Sequence, residues 1–435
     1  MKASLAVMGT VLGVHGVAQG QAAPAGSAPV YNPGPSLPAI DGSFQYALSG
    51  SESIQSGYSG TGVNSSTNLS GRVEYISPSH THPLSLLYGG GLLLSTYGGS
   101  NGIFQNFTIS QGLIGHGWAL GVSNSVSYMP QAPTTGLSGV PGQGDLGLQP
   151  APDPNVPAQS VLTIYGKRLS NSLNGSIERE LNGRTSISGS GNYGILRFIG
   201  DQGSGDFVAN GLDSTETSGQ VGLNRRLSPL SNGSISAYYS NYSYTGNPTS
   251  FNSKGINLTY SRQLSRELNM SLSAGPQFVG AFQAYSVENT IATRQVPSSV
   301  NVAANASLNY TRGFTSALVA YSRGVNAGSG VQTGSRADTI VAGWSRSYGP
   351  DWAVGTTLSY SRTVGLALTG VTQGIYGGVQ VSRRLTSSLS MFVSYTGIHQ
   401  SIPSSLSGGA AYSGFSQSGA IGITFAPRAK RLGQL

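Results

Sequence analysis

The chain has 435 residues and a formal net charge of +8, yet only 9% of its residues are charged, against about 25% in an ordinary globular domain. It contains no cysteine, which excludes a disulfide framework and a thiolate metal site. Its arginines are scattered rather than clustered on one arm or helix, which argues against nucleic-acid binding. Beyond the N-terminus there is no apolar run of about 18 residues, so we expect no helical membrane span.

Two segments precede the part of the chain that is predicted to fold. Residues 1–22 combine Lys2, a weakly apolar stretch from Ala3 to Val17 and small residues near the exit, a pattern typical of a signal peptide. Residues 23–42 are rich in Pro, Gly and Ala and predict an extended linker. We therefore expect the protein to be exported.

From Ser43 onward, apolar residues occupy every second position between clusters of Gly, Ser and Asn, which predicts β-strands with one apolar and one polar face. The pattern predicts about 18 strands. Sixteen is the alternative, because the segment Ser160–Leu181 can be one kinked strand, a strand plus an inner segment, or two short strands. The predicted strands are Ser43–Ile54, Thr67–Ile76, Leu84–Tyr97, Gly102–Ile114, His116–Met129, one within Ser160–Leu181, and twelve between Arg184 and Phe425.

One motif recurs along the chain: an arginine that closes an apolar alternation, then a short break, then a new alternation, as in VQVSRRLTSSLSMFVSYTG. Successive copies lie 34 to 50 residues apart, which is too irregular for a solenoid and fits hairpins with variable far loops. The breaks after the arginines are short. The opposite connections are longer, among them Val287–Ser299 and the Pro- and Gly-rich stretch Pro130–Ala158. This asymmetry is typical of an outer-membrane barrel with periplasmic turns and extracellular loops.

The recurring arginines lie on the apolar face of their strands, and this placement decides between two architectures. A soluble sandwich would bury arginine in its core six times. In a barrel the same face points to lipid, and the arginines reach headgroups while their stems lie along acyl chains. The bland alternative is a set of solvated turn charges. The predicted periplasmic-rim lipid contacts are Arg179, Arg225, Arg262, Arg312, Arg346 and Arg383, with Tyr260, Tyr310 and Trp344 beside them. The predicted outer-rim contacts with lipopolysaccharide phosphates are Tyr321, Arg323, Tyr360 and Arg362.

The opposite face of these strands is predicted to line a hydrated lumen. It is small, polar and almost uncharged, and its representative residues are Asn257, Thr259, Asn305, Ser307 and Asn309. A large barrel with such an interior stays filled with water rather than with side chains.

Over Ser43 to Phe425 the chain resembles the Gram-negative outer-membrane β-barrel proteins and is porin-like in size. The resemblance implies an all-β, closed antiparallel transmembrane barrel over residues 43–426, followed by a basic tail over residues 427–435. It also implies recognition by the barrel-assembly machinery through Phe425, although ten residues follow that aromatic. The implied partners are outer-membrane lipids, lipopolysaccharide and small polar solutes; the oligomeric state is not predicted.

The leading functional prediction is passive diffusion of small polar solutes through a weakly charged lumen in the outer membrane. The alternatives are a scaffold or surface-display barrel, an exopolysaccharide export pore, and a soluble secreted β-adhesin. His80 and His82 lack a third metal ligand, and neither His116 nor His399 has an acidic neighbour in sequence. We therefore predict no enzymatic activity, no cofactor and no metal.

Overall fold

The computed structural model describes residues 42–57, 63–77, 79, 81–95, 102–129, 167–199, 213–245, 247–287, 290–326, 334–366, 370–403, 413–428 and 430–431. None of these residues belongs to a helix that is long and apolar enough to cross a bilayer. The strands are β1 (Ser43–Ser56), β2 (Val63–Ile76), β3 (Leu84–Ser95), β4 (Gly102–Gly115), β5 (Trp118–Met129), β6 (Lys167–Asn182), β7 (Thr185–Ile199), β8 (Ser214–Ser228), β9 (Ser231–Tyr244), β10 (Asn247–Gln263), β11 (Leu268–Val287), β12 (Thr290–Arg312), β13 (Thr315–Asn326), β14 (Ser335–Tyr348), β15 (Trp352–Gly365), β16 (Val371–Arg384), β17 (Leu389–Ser401), β18 (Gly414–Phe425) and the two-residue β19 (Lys430–Arg431).

The first eighteen strands form one closed antiparallel barrel. Each strand pairs with its sequence neighbour, and β18 closes the ring by pairing with β1 from Leu48↔Phe425 to Ser56↔Gln417. Closure pairs every long strand with a neighbour on each side, which is how barrels avoid edge-to-edge aggregation, although β12 pairs with β13 along only part of its length. The prediction of 18 strands is confirmed, and the described part of the ambiguous segment, from Lys167 onward, belongs to a single strand, β6.

The two ends of the barrel differ in how the strands are connected. At one end, which we call the short-turn rim, the turns include the two-residue pairs His116–Gly117 and Gly313–Phe314. Both glycines have positive φ, 72° and 56°, a conformation that glycine adopts without steric cost. The other end, which we call the long-loop rim, carries the connection that contains Pro130–Ala158. That connection lies outside the described residues, as do the segments 1–22 and 23–41.

The predicted loop Val287–Ser299 is wrong. Strand β11 continues to Val287 and β12 begins at Thr290, so this region is the upper part of a hairpin whose strands have 20 and 23 residues. The sequence there, VENTIATRQVPSS, lacks clean apolar alternation and contains a proline, which normally argues against a strand. The start of β12 is a strand because its backbone pairs with β11, from Val287↔Thr290 to Ala281↔Val296, and the local sequence pattern does not predict this pairing.

The seam between β1 and β18 continues beyond the predicted barrel end. Lys430 and Arg431 pair with Phe44 and Ser43, which extends the closing ladder past Phe425. Relative to the main seam this pairing is offset by one residue, as in a β-bulge. The ring of Phe425 lies 6.4 Å from that of Tyr46 on β1. Part of the basic tail is therefore a strand of the barrel wall.

Strands β10 and β11 approach each other closely near the middle of the wall. Their pairing is interrupted between Gly255↔Gln277 and Leu258↔Ala274, next to Pro276, which has no N–H to donate. A Cβ atom at Gly275 would overlap the carbonyl oxygen of Ile256. Only glycine fits this approach without a shift of the backbone.

We predict that Gly275→Ala destabilises the barrel by about 2 kcal/mol or more, because overpacking against backbone cannot relax by side-chain rotation. The measurement is the urea midpoint of unfolding, together with the fraction of protein that migrates as folded barrel in unheated gel electrophoresis. Gly343→Ala is the matched control, since a Cβ there would lie 4.0 Å from its nearest neighbour. Equal midpoints for the two variants would contradict the close approach.

Candidate functional site: the inner wall and the two rims

The residues predicted to line the lumen lie on the inner face of the barrel. On β10, Asn257 and Thr259 are buried, while Leu258 between them is 66% exposed on the outer face. On β12, Asn305, Ser307 and Asn309 are half-buried and alternate with outward-facing Leu308, which is 40% exposed. The alternation that separated polar from apolar residues in the sequence therefore separates the two faces of the wall.

Short polar side chains on the inner face are linked to one another across the strands. The hydroxyl of Thr259 donates to Ser273 Oγ at 3.1 Å, and Gln277 Nε2 donates to Ser253 Oγ at 2.8 Å. Further inner-face bonds join Ser172 to Asn192, Asn174 to Ser172, and Gln55 to Ser416. Such pairs hold the side chains against the wall, and Asn174 Oδ1 and Gln277 Oε1 are buried beside them without a hydrogen-bond donor among the described residues.

The inner face also carries large aromatic residues, so the expectation of a uniformly small and polar lining is wrong. Phe104 and Phe392 are both buried on the inner face, opposite Gly91 and Gly422 of the neighbouring strands. A Cβ at either glycine would lie within 2.6 Å of the facing ring, so each ring lies flat over its glycine. The sequence does place these two aromatic residues at positions of the polar face. The prediction missed them because it rested on the average composition of that face over all strands.

At the long-loop rim, inner-face aromatics meet residues from strands farther round the barrel. We call this group the rim cluster; it consists of Tyr242, Tyr244, Phe251, Val279 and Val325, with Leu366 packed against it. The Tyr242 and Phe251 rings stack with centroids 4.5 Å apart at 15°, and Phe251 is only 1% exposed. The phenol of Tyr242 donates to Glu216 Oε1 at 3.2 Å.

The rim cluster brings β9, β10 and β11 into contact with β13 and with Leu366, which directly follows β15. Along the wall, β12 lies between these two groups of strands. Strand β12 pairs with β13 only from Ala304 to Arg312, although it pairs with β11 as far as Thr290. The part of β12 between Ala304 and the long-loop rim therefore has no backbone pairing with β13. Arg336 Nη1 also donates to Asn301 Oδ1 at 3.2 Å, between β14 and this upper part of β12. The wall therefore curves over the lumen at this rim.

Most inner-face charges of the described residues lie near the short-turn rim, and Glu216 beside the rim cluster is the exception. Arg72 and Glu74 form an ion pair at 2.8 Å, and Ser186 donates to Glu178 Oε1 at 2.6 Å. Arg226 and Arg384 occupy inner-face positions and are exposed. Within the described part of the chain no carboxylate forms a salt bridge with either of them.

Two copies of the recurring arginine motif contain two consecutive arginines, whose side chains point to opposite faces of the wall. Arg225 directly precedes Arg226 on β8, and Arg383 directly precedes Arg384 on β16. Because successive side chains of a strand point to opposite faces, each pair offers one outward and one inward guanidinium at nearly the same height.

All six predicted rim arginines are exposed at the short-turn rim, on the same face as the exposed apolar side chains. Arg346 lies 5.0 Å from the ring centroid of Tyr348, and Arg383 lies 5.1 Å from that of Trp352, distances typical of cation–π contacts. Arg312 has a partner that the sequence pattern did not predict, Glu267, at 3.4 Å. Tyr260, Tyr310 and Trp344 are half-buried on this outer face.

On the outer face of β13, β14 and β15, paired side chains form cross-strand rows of graded polarity. The rows from the long-loop rim to the short-turn rim are Arg323, Asp338 and Arg362; Tyr321, Ile340 and Tyr360; Val319, Ala342 and Leu358; Ala317, Trp344 and Thr356; and Thr315, Arg346 and Val354. Eight residues along β14 separate Asp338 from Arg346. At about 3.4 Å per residue and a tilt of about 40°, this is roughly 20 Å of height, close to the apolar band of membrane barrels.

No protein-family model and no curated protein matches this chain. Among solved structures, OccK2 (OpdF) of Pseudomonas aeruginosa is 10% identical with a TM-score of 0.44 over 90% of this chain and 98% of that one. OpdQ of P. aeruginosa is 11% identical with a TM-score of 0.42 over 89% and 99%. The ferric-catecholate import receptor Fiu of E. coli K12 is 10% identical with a TM-score of 0.42 over 89% and 82%.

Its structural neighbours are outer-membrane barrels. Their TM-scores lie below 0.5, so the function proposed below rests on the side chains of the wall and not on these neighbours.

Two features of this wall were missed by sequence reasoning. The first is Asp338, an acidic residue on an otherwise outward-facing apolar strand; its alternation with Ile340 was the available signal. The second is the rim cluster, whose members come from four strands and the segment after β15, so no local pattern relates them.

Proposed function

We propose that the chain is an outer-membrane channel through which small polar solutes diffuse passively, with the short-turn rim in the periplasm. The observation that carries the proposal is the sorting of side chains in a closed 18-stranded ring, with hydroxyls and amides inside and aliphatic side chains outside. Barrels of 16 to 18 strands are wide enough to leave an aqueous passage. The proposed transport involves no catalytic step.

Selectivity in such a channel comes from its width and from the groups that line it. The inner wall offers mainly neutral hydrogen-bonding groups, such as those of Asn305 and Ser307, along the span of the proposed membrane belt. The rim cluster supplies the narrowing, because its stacked rings lie on the inner face where the wall curves inward. A hydrated, weakly charged passage whose narrowing consists of stacked rings beside the Glu216 carboxylate favours small polar solutes.

The rim cluster also favours a second candidate, a barrel that stays closed and serves as a scaffold for its surface loops. The two candidates differ in one measurable property. Purified full-length protein is reconstituted into planar bilayers and into liposomes, and conductance and swelling in sugars are recorded. A stable conducting state supports the channel. Folded, inserted protein that never conducts excludes the channel and supports the scaffold.

The paired arginines allow the proposed lumen to be tested by ion selectivity. We expect Arg226→Gln combined with Arg384→Gln to shift the reversal potential in a KCl gradient toward cations, because two positive charges leave the inner mouth. Arg225→Gln combined with Arg383→Gln removes equal charge from the outer face and serves as the matched control. The shift should fade between 0.1 M and 1 M salt, as the screening length falls from about 10 Å to about 3 Å. Equal shifts in both double variants would contradict the assigned faces.

A further inference from the structure

The outer-face row of Arg323, Asp338 and Arg362 contains more hydrogen-bond donors than its one carboxylate satisfies. Asp338 Oδ1 lies 3.5 Å from Arg323 Nη1, and Asp338 Oδ2 lies 3.9 Å from Arg362 Nη1. The best hydrogen bond to this carboxylate comes instead from the Tyr321 phenol, at 3.0 Å from Oδ1. Each guanidinium carries five N–H donors, so most of them have no partner in this network.

The apolar surroundings raise the free-energy cost of leaving these N–H donors without acceptors. The row directly below consists of Tyr321, Ile340 and Tyr360, and Leu358 in the next row is exposed. The side chains of Arg323 and Arg362 are 34% and 42% exposed, whereas Asp338 is 16% exposed. The Nε atom of Arg323 is buried without a hydrogen-bond acceptor among the described residues. The guanidinium groups thus lie at the upper border of the apolar belt, where water is depleted.

The local charge is positive, because two arginines face one aspartate. A surface of this kind attracts an anion that offers several oxygen acceptors and whose remaining bulk is apolar. A phosphate group meets the first condition, because guanidinium groups bind it through two parallel hydrogen bonds. An acyl-bearing headgroup meets the second.

We propose that Arg323 and Arg362 form a binding site on the outer wall for a phosphate-bearing lipid headgroup of the leaflet at the long-loop rim. Tyr321 and Tyr360 flank the acyl region below the phosphate. Asp338 lies between the two guanidinium groups, at 3.5 Å and 3.9 Å, and competes weakly with the phosphate. This site rests on the membrane placement proposed above, and it is independent of whether the lumen conducts.

The test uses full-length protein in detergent micelles that contain diphosphoryl lipid A and phosphatidylcholine, and native mass spectrometry counts the lipids retained per barrel. Wild-type protein should retain lipid A preferentially. Arg323→Gln combined with Arg362→Gln should lower its affinity for lipid A by about tenfold or more, since two charge-assisted contacts are lost. Asp338→Asn should retain lipid A at least as well as the wild type, because the competing carboxylate is gone.

Arg346→Gln, which removes an outward arginine from the opposite rim of the same strand, should leave lipid A retention unchanged. Retention that is the same in the double variant and the wild type, or that falls in Asp338→Asn, would show that the row is only a cross-strand ion network and overturn the proposal. Displacement of lipid A by inorganic phosphate alone would overturn the assignment to a lipid. Bilayer conductance separates this result from the channel: a conducting double variant that no longer retains lipid A leaves the proposed function intact.

Discussion

Leu308→Lys is expected to destabilise the folded barrel by about 2–4 kcal/mol in a bilayer, which is the cost of a cation near the midplane of the lipid face of a barrel. Leu308 is an outward residue of β12, 40% exposed, four residues above Arg312. The measurement is the urea dependence of unfolding in phosphatidylcholine vesicles. The expected result is a lower midpoint and a smaller fraction of protein that inserts.

The neighbouring variant Ser307→Lys is the control. Ser307 is half-buried on the inner face, where a lysine ammonium would remain in water. We expect its unfolding midpoint to stay within the scatter of surface substitutions, about 0.5 kcal/mol. A larger loss for Ser307→Lys than for Leu308→Lys would reverse the two faces and contradict the proposed channel.

Phe251→Ala is expected to raise single-channel conductance by roughly a factor of two, because pore diameter at the narrowest point limits conduction. Phe251 is the central ring of the rim cluster, stacked on Tyr242 and in contact with the segment that contains Gly334. Its removal opens the contact between β10 and the region after β13. Recordings should use protein that migrates as folded barrel in unheated gels, so that unfolded material does not affect the result.

Phe278→Ala is the matched control for the rim cluster. Phe278 is an aromatic of the adjacent strand β11, but it is exposed on the outer face. We expect it to change conductance little while it weakens contact with lipid. Unchanged conductance in Phe251→Ala would remove the rim cluster as the narrowing of the channel and leave its contacts a purely structural role.

The fold was predictable because the strands of a membrane barrel alternate polar and apolar residues, and this alternation is visible in the local sequence. Period-two alternation identifies each strand, and Leu258 and Asn257 show which face is which from neighbouring letters alone. The arginine before each short turn fixed the rim at which consecutive strands join. The exception is the first part of β12, from Thr290 to Ser299, which is a strand because of its pairing with β11 rather than because of its own residues.

The candidate sites were less predictable because they depend on contacts between distant strands. Arg323 and Arg362 were predicted as outer-rim residues, but only the register of β13, β14 and β15 places Asp338 between them. Phe251 and Val325 lie on strands that are not neighbours in the wall, and their contact depends on the curvature of the long-loop rim. A sequence pattern indicates which face of a strand a residue occupies and how far it lies from the turn. It does not indicate how the wall curves at the rim.

The proposed membrane placement has one physical basis: the aliphatic face of the wall is in contact with hydrocarbon and the hydroxyl face with water. Because the chain has no cysteine, single-cysteine variants at Leu258, Leu308, Asn305 and Ser307 can each carry one spin label without any background substitution. Electron paramagnetic resonance in vesicles then compares collisions of each label with oxygen and with a water-soluble nickel complex. We expect collisions with oxygen to dominate at Leu258 and Leu308 and collisions with nickel to dominate at Asn305 and Ser307. The opposite distribution would contradict the proposed membrane placement.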